Sequence, residues 1–272
     1  MLEGGVFMNS EILPNSRKYL APKIIDRRIS LKHVWGMLSI RSALSFFLLL
    51  LLALVFKLGG SSTAIKASSA WWLWFVTITN ITCLILLLHL CRKESLRLQE
   101  LFFFNPSTWK ADLRWFLMTL AGTAIFAQLP GNLLAKLLWG DVNLPNSLLI
   151  QPLPLLAIYP LIILMPVTQA LAELPTYWGY VAPRLRASGL NRWLVIGGIG
   201  FTLSIQHMFF SFQLDWRYDL WLALKYLPFA LWMGFVIDRR PTVLPYLMVM
   251  HFLLDASLPV LLLFVSKGIP LV

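Results

Sequence analysis

Apolar residues in this chain come in long blocks separated by short polar breaks. Seven blocks stand out, at about 40–58, 70–91, 114–135, 153–173, 193–212, 220–237 and 243–266. A bilayer core of about 30 Å takes roughly 20 residues of α-helix to cross, and each block meets or nearly meets that length. The fourth carries Pro154, Pro160 and Pro166. Prolines are tolerated in a span when neighbouring helices satisfy the freed backbone groups, so this helix can run on past Tyr180. The third contains Pro130-Gly131, where a helix can break and re-form as a short eighth element. The pattern predicts an all-α fold, a polytopic membrane helix bundle of seven to eight transmembrane helices over 39–272. Residues 1–38 are polar and basic without apolar periodicity, and read as a cytosolic tail, partly disordered.

Composition agrees with the pattern. Of 272 residues, 58% are hydrophobic and 13% charged, whereas soluble domains average about half and a quarter. The net charge of +11 would suggest nucleic acid in a soluble protein. In a membrane protein Lys and Arg collect in cytoplasmic loops and meet anionic headgroups, so membrane lipids, and no nucleic acid, are the expected partners. The basic residues do fall mostly on one side: the tail from Arg17 to Arg41, then 92–114, then Arg184, Arg186 and Arg192, then Arg239 and Arg240. The other side holds only Lys57, Lys66, Lys136, Arg217 and Lys267. This bias predicts a multi-pass protein of the cell membrane with its N-terminus cytoplasmic. Lys225 alone falls inside a block, near enough to its end to snorkel.

The acidic residues and histidines narrow the chemistry. Of the 12 acids, all but two lie in tails, loops or at block ends, Glu94, Asp112 and Asp219 among them. The two are Glu173 and Asp255. Two histidines, His207 and His251, also lie inside blocks. An ionisable group in a span is costly unless paired or wetted, and commonly marks a site. In 250-MHFLLD-255, His251 and Asp255 are four apart and share one helix face. If the blocks carrying Glu173 and His207 pack against that face, two imidazoles and two carboxylates converge. Such a set could hold a divalent metal such as zinc. It could activate water without a metal, with Glu173 as base. It could also relay protons.

These residues resemble a family of intramembrane proteases, the CAAX prenyl endopeptidase and bacteriocin-immunity (CPBP, or Abi) family. Its motifs run E-E-x-x-x-R, F-x-x-x-H, then H-x-x-x-N or H-x-x-x-D. Here 173-ELPTYW-178 with 179-GYVAPRL-185 resembles the first and its tail, 203-LSIQH-207 the second, and 251-HFLLD-255 the third. The likeness covers about residues 110–266. It implies an endopeptidase acting on a peptide or membrane-protein substrate, with Glu173 activating water and His207 assisting. It implies that His251 and Asp255 stabilise the oxyanion or share a metal with the other two. Leu174 stands where the family has its second Glu, and Trp178 where it has Arg. Losing both together leaves no stranded charge in the membrane. The alternative is an inactive relative serving as a membrane scaffold or immunity protein.

Overall fold

A computed structural model describes residues 14–269. The fold is a bundle of α-helices: α1 Arg17–Ile25, α2 Leu31–Leu58, α3 Ala64–Ser69, α4 Trp72–Lys93, α5 Trp109–Thr123, α6 Leu129–Trp139 and α7 Leu144–Leu149. Then follow α8 Leu155–Ile158, α9 Leu161–Leu174, α10 Ala182–Ala187, α11 Arg192–Phe210, α12 Trp216–Leu224, α13 Leu227–Arg239 and α14 Leu244–Ser266. These make seven stretches long and apolar enough to cross a membrane, and no strand occurs among the described residues. The protein is a polytopic helical membrane bundle.

Several boundaries differ from the apolar pattern, each for a physical reason. The first span begins at Leu31, because Arg41 turns inward among polar partners and the helix continues through it. Helix α1 forms inside the expected tail and packs on α10. Its N-cap Ser16 accepts from the Tyr19 amide, and Lys23 donates to the Glu94 carbonyl (2.7 Å). Residues 1–13 of that tail lie outside the described region. Pro130-Gly131 does not end the third span. The chain widens into a π-helical turn at Ala124–Gln128 and continues as α6. The sixth span does break, at Lys225-Tyr226 between α12 and α13.

Lipid is as apolar as a leucine side chain, so these helices associate through close packing and polar contacts. Helix α9 is central, packed between α4 and α14. Helix α11 packs on α2, α12 and α13. Small residues let backbones approach. A Cβ on Gly200 would come 2.9 Å from Leu231 across the α11–α13 contact. A Cβ on Gly234 would come 2.3 Å from the Trp178 ring.

Candidate functional site

Glu173 sits in the last turn of α9, next to a π-helical turn over Pro175–Val181. Pro175 has no N–H, so the ordinary helical ladder loses a donor there. Single π-turns in helices are frequent at functional sites. This one turns Leu174, Tyr177 and Trp178 into the apolar core, where all three are buried.

The Glu173 side chain is 1% exposed and its two oxygens have different surroundings. Oε2 is filled: it accepts from the Arg41 guanidinium at 3.0 Å and the Gln206 amide at 2.6 Å. Arg41 is fully buried, and also donates to Gln206 (2.9 Å), Asn80 (2.6 Å) and Gln169 (3.1 Å). Tyr177 donates to the same Gln206 oxygen at 2.9 Å, not to Glu173. One guanidinium thus ties α2 to α4, α9 and α11. Its planar fork can serve several acceptors at once, which a lysine ammonium cannot do in that geometry.

Oε1 faces the other way, toward α14. His251 Nε2 lies 3.1 Å from it and 3.2 Å from Asp255 Oδ2. One imidazole nitrogen carries at most one proton and can aim it at one oxygen. In this geometry neither Oε1 nor Oδ2 receives an aligned hydrogen bond, although both are buried. Gln169 Nε2 also approaches His251 Nε2, at 3.3 Å. The two carboxylates lie nearer, so we assign the proton to Nε2; Gln169, whose Oε1 is held by Arg41, then presents a donor to that N–H and makes no hydrogen bond to it. The His251 and Asp255 side chains are 14% and 16% exposed against 1% for Glu173. The site therefore opens past α14.

The structure brings Glu173, His251 and Asp255 together. His207 stands apart and makes no hydrogen bond or ion pair with them. Its Nδ1 lies 2.9 Å from the Leu203 carbonyl one turn back, and its ring packs on Tyr226 at 4.3 Å. A carbonyl only accepts, so Nδ1 carries the proton and Nε2 keeps its lone pair. The ring also borders a cavity of about 20 Å³, shared with Ser211 and Tyr226, which is room for one water.

A metal cage does not fit. Among the described residues no group of three or more His, Cys, Asp and Glu is arranged to hold an ion. Two features are visible: His207 bonds back to its own helix and makes no contact with the other three, and the Arg41 cation on Glu173 Oε2 already balances that carboxylate's charge.

Other charged groups placed in loops or at helix ends are buried pairs. Glu94 accepts from Tyr180 at 2.6 Å and from Arg184, which is itself fully buried and also holds Asn15 at 3.0 Å. Tyr180 and Arg184 belong to the Gly-Tyr-Pro-Arg-Leu tail, so that tail fastens the basic end of the bundle to α1 and α4. Asp112 accepts from Arg240 at 2.5 Å and Thr242 at 2.6 Å. Lys225 does not snorkel. It is 6% exposed and packs over Trp221 (3.7 Å) and Tyr226 (4.5 Å), with no carboxylate in ion-pair reach among the described residues.

The apolar pattern did not single out Arg41, Asn80, Gln169 and Gln206. The signal available was polar residues inside spans: Asn80 in the middle of α4, Gln169 one turn before Glu173, and Gln206 beside His207.

No family model, no curated protein and no solved structure matches the chain.

Proposed function

We propose that this protein is an intramembrane endopeptidase that hydrolyses a peptide bond with a carboxylate-activated water. The observation that carries the reading is a pair of buried carboxylate oxygens, Glu173 Oε1 and Asp255 Oδ2, that share one neighbouring donor, His251 Nε2, and receive no aligned hydrogen bond. Buried polar atoms are nearly always hydrogen-bonded, so an exception calls for a partner. A water has two O–H groups to offer, one for each carboxylate. Glu173 takes a proton from it as the oxygen attacks the peptide carbonyl carbon. Protonation of Glu173 removes its charge and frees the N–H of His251 to donate to the developing oxyanion. The proton on Glu173 passes to the leaving nitrogen as the C–N bond breaks, giving a carboxylic acid and an amine. Arg41 and Gln206 hold Oε2, so Glu173 keeps one orientation throughout. His207, with a free Nε2 at a water-sized cavity, is placed to hold a further water.

The test is cleavage in proteoliposomes of a library of membrane-spanning peptides, read by mass spectrometry. Wild-type protein should yield cut products, and Glu173→Gln should slow them by about 10²- to 10⁴-fold, the usual contribution of a positioned base. Cleavage by Glu173→Gln at the wild-type rate would refute the mechanism.

A second reading, an inactive membrane scaffold or immunity protein, has one observation in its favour. Glu173 Oε2 is a bracing point for three other helices through Arg41 and Gln206, a role that needs no catalysis. Under this reading Glu173→Gln keeps both the cellular effect and capture of the membrane partner.

A further inference from the structure

A groove of about 390 Å³ runs along the outside of the bundle, away from the carboxylate site. Phe126, Trp193, Pro228, Leu231, Trp232 and Phe235 line it, all apolar or aromatic. Four of these rings form a continuous ladder. Trp193 stacks on Phe235 at 6.3 Å, Phe235 on Trp232 at 5.8 Å, and Trp232 on Phe126 at 5.2 Å. Phe126 comes from the π-turn between α5 and α6, Trp193 from the start of α11, and the rest from α13.

The ladder ends among guanidinium groups. Arg192 lies 5.1 Å from the Trp193 ring and Arg239 lies 5.2 Å from the Phe235 ring. Asp238 is the carboxylate nearby, shared by Arg192 and Arg186. Three guanidiniums thus face one acid. The Arg192 Nε is buried without an acceptor, and Arg239 has no carboxylate in ion-pair reach among the described residues. The N-terminus of α11 and the C-terminus of α13 meet here, so their opposite partial charges offset and the guanidiniums set the sign.

The dimensions identify an occupant. From Pro228 to Arg239 a helix rises about 16 Å at 1.5 Å per residue. One leaflet of hydrocarbon is about half of 30 Å. The open groove and its cationic end together run about the thickness of one leaflet, with the guanidiniums where a headgroup would lie.

We propose that this groove is a binding site for an anionic phospholipid. The phosphate sits between Arg192 and Arg239, and one acyl chain lies along the Trp193–Phe126 ladder. A zwitterionic headgroup would bring its own cation to the guanidiniums and bind less well. The basic end of the bundle is the end expected to face anionic lipid.

Tryptophan quenching by brominated acyl chains tests this, on the purified full chain in vesicles. Brominated phosphatidylglycerol should quench more strongly than brominated phosphatidylcholine. The excess should disappear in the Trp193→Phe/Trp232→Phe variant, which removes both reporters. Arg239→Gln should lower the preference about fivefold, the usual effect of one basic residue at an anionic surface. This variant breaks no ion pair, so loss of folding does not confound it. Arg192→Gln/Arg239→Gln should abolish the preference. Equal quenching by both lipids would overturn the proposal, as would a preference that survives Arg239→Gln. A cross-linked dimer through Trp193 and Phe235 that excludes brominated lipid would also overturn it, since the occupant would then be a second copy.

Discussion

Removing Arg41 should destabilise this protein strongly. Arg41→Met keeps the length and apolar stem but deletes the cation and four hydrogen bonds, to Gln206, Asn80, Gln169 and Glu173. Two magnitudes bracket the cost. Interhelical hydrogen bonds in membranes average about 0.6 kcal/mol, so four give roughly 2.4 kcal/mol. Breaking a buried ion pair from one side costs about 3–5 kcal/mol, because the partner charge is stranded. The loss should therefore fall between about 2 and 5 kcal/mol, and near the upper end, because Glu173 is as buried as Arg41. The assay is equilibrium unfolding in mixed detergent, run on Arg41→Met, Glu173→Gln and the double variant. Removing both partners strands no charge, so the double variant should be more stable than Arg41→Met alone. Arg41→Met within about 0.5 kcal/mol of wild type, the range of an inert surface change, would refute the reasoning. A double variant as unstable as the sum of the singles would do so as well.

Three further outcomes follow from the same packing. Gly234→Ala drives a methyl group into Trp178 and should cost about 1–3 kcal/mol, as overpacking does; Trp178→Leu should recover much of that loss in the same unfolding assay. Lys225→Met should be neutral or stabilising, because it replaces a buried cation lacking a carboxylate partner with an apolar chain of similar length; a clear loss of stability would show that the ammonium has a partner in the folded protein. Glu94→Gln strands the buried Arg184 and should cost about 3–5 kcal/mol, and hydrogen exchange should rise in α1, which depends on the same cluster through Asn15 and Lys23.

The fold was legible because membrane spans are written in runs of apolar residues, and such runs need no partner to be recognised. The kinks were less legible. A proline or glycine pair says that the ladder is interrupted, but neighbouring helices decide the outcome. They carry Pro130-Gly131 through as helix, whereas Pro228, which cannot donate to the Leu224 carbonyl, accompanies the break at Lys225-Tyr226. The carboxylate site was half legible. His251 and Asp255 lie on one face by their spacing alone, and Glu173 stands out as an acid in an apolar block. The Arg41 partnership was hidden because a basic residue at the start of a span reads as an interfacial anchor. Its burial depends on three amides from other helices, and no local pattern brings Asn80, Gln169 and Gln206 to one point. His207 illustrates the converse. Its place in a motif suggests company with Glu173, yet the side chain bonds back to its own helix and Gln206 takes the adjoining place.

The proposed hydrolysis needs a water between the two carboxylates. The most direct measurement is a high-resolution experimental map of the wild-type protein in lipid. It should show one ordered water within about 2.6–3.2 Å of both Glu173 Oε1 and Asp255 Oδ2, the reach of a catalytic hydrogen bond. An empty gap, or a side chain filling that position, would contradict it.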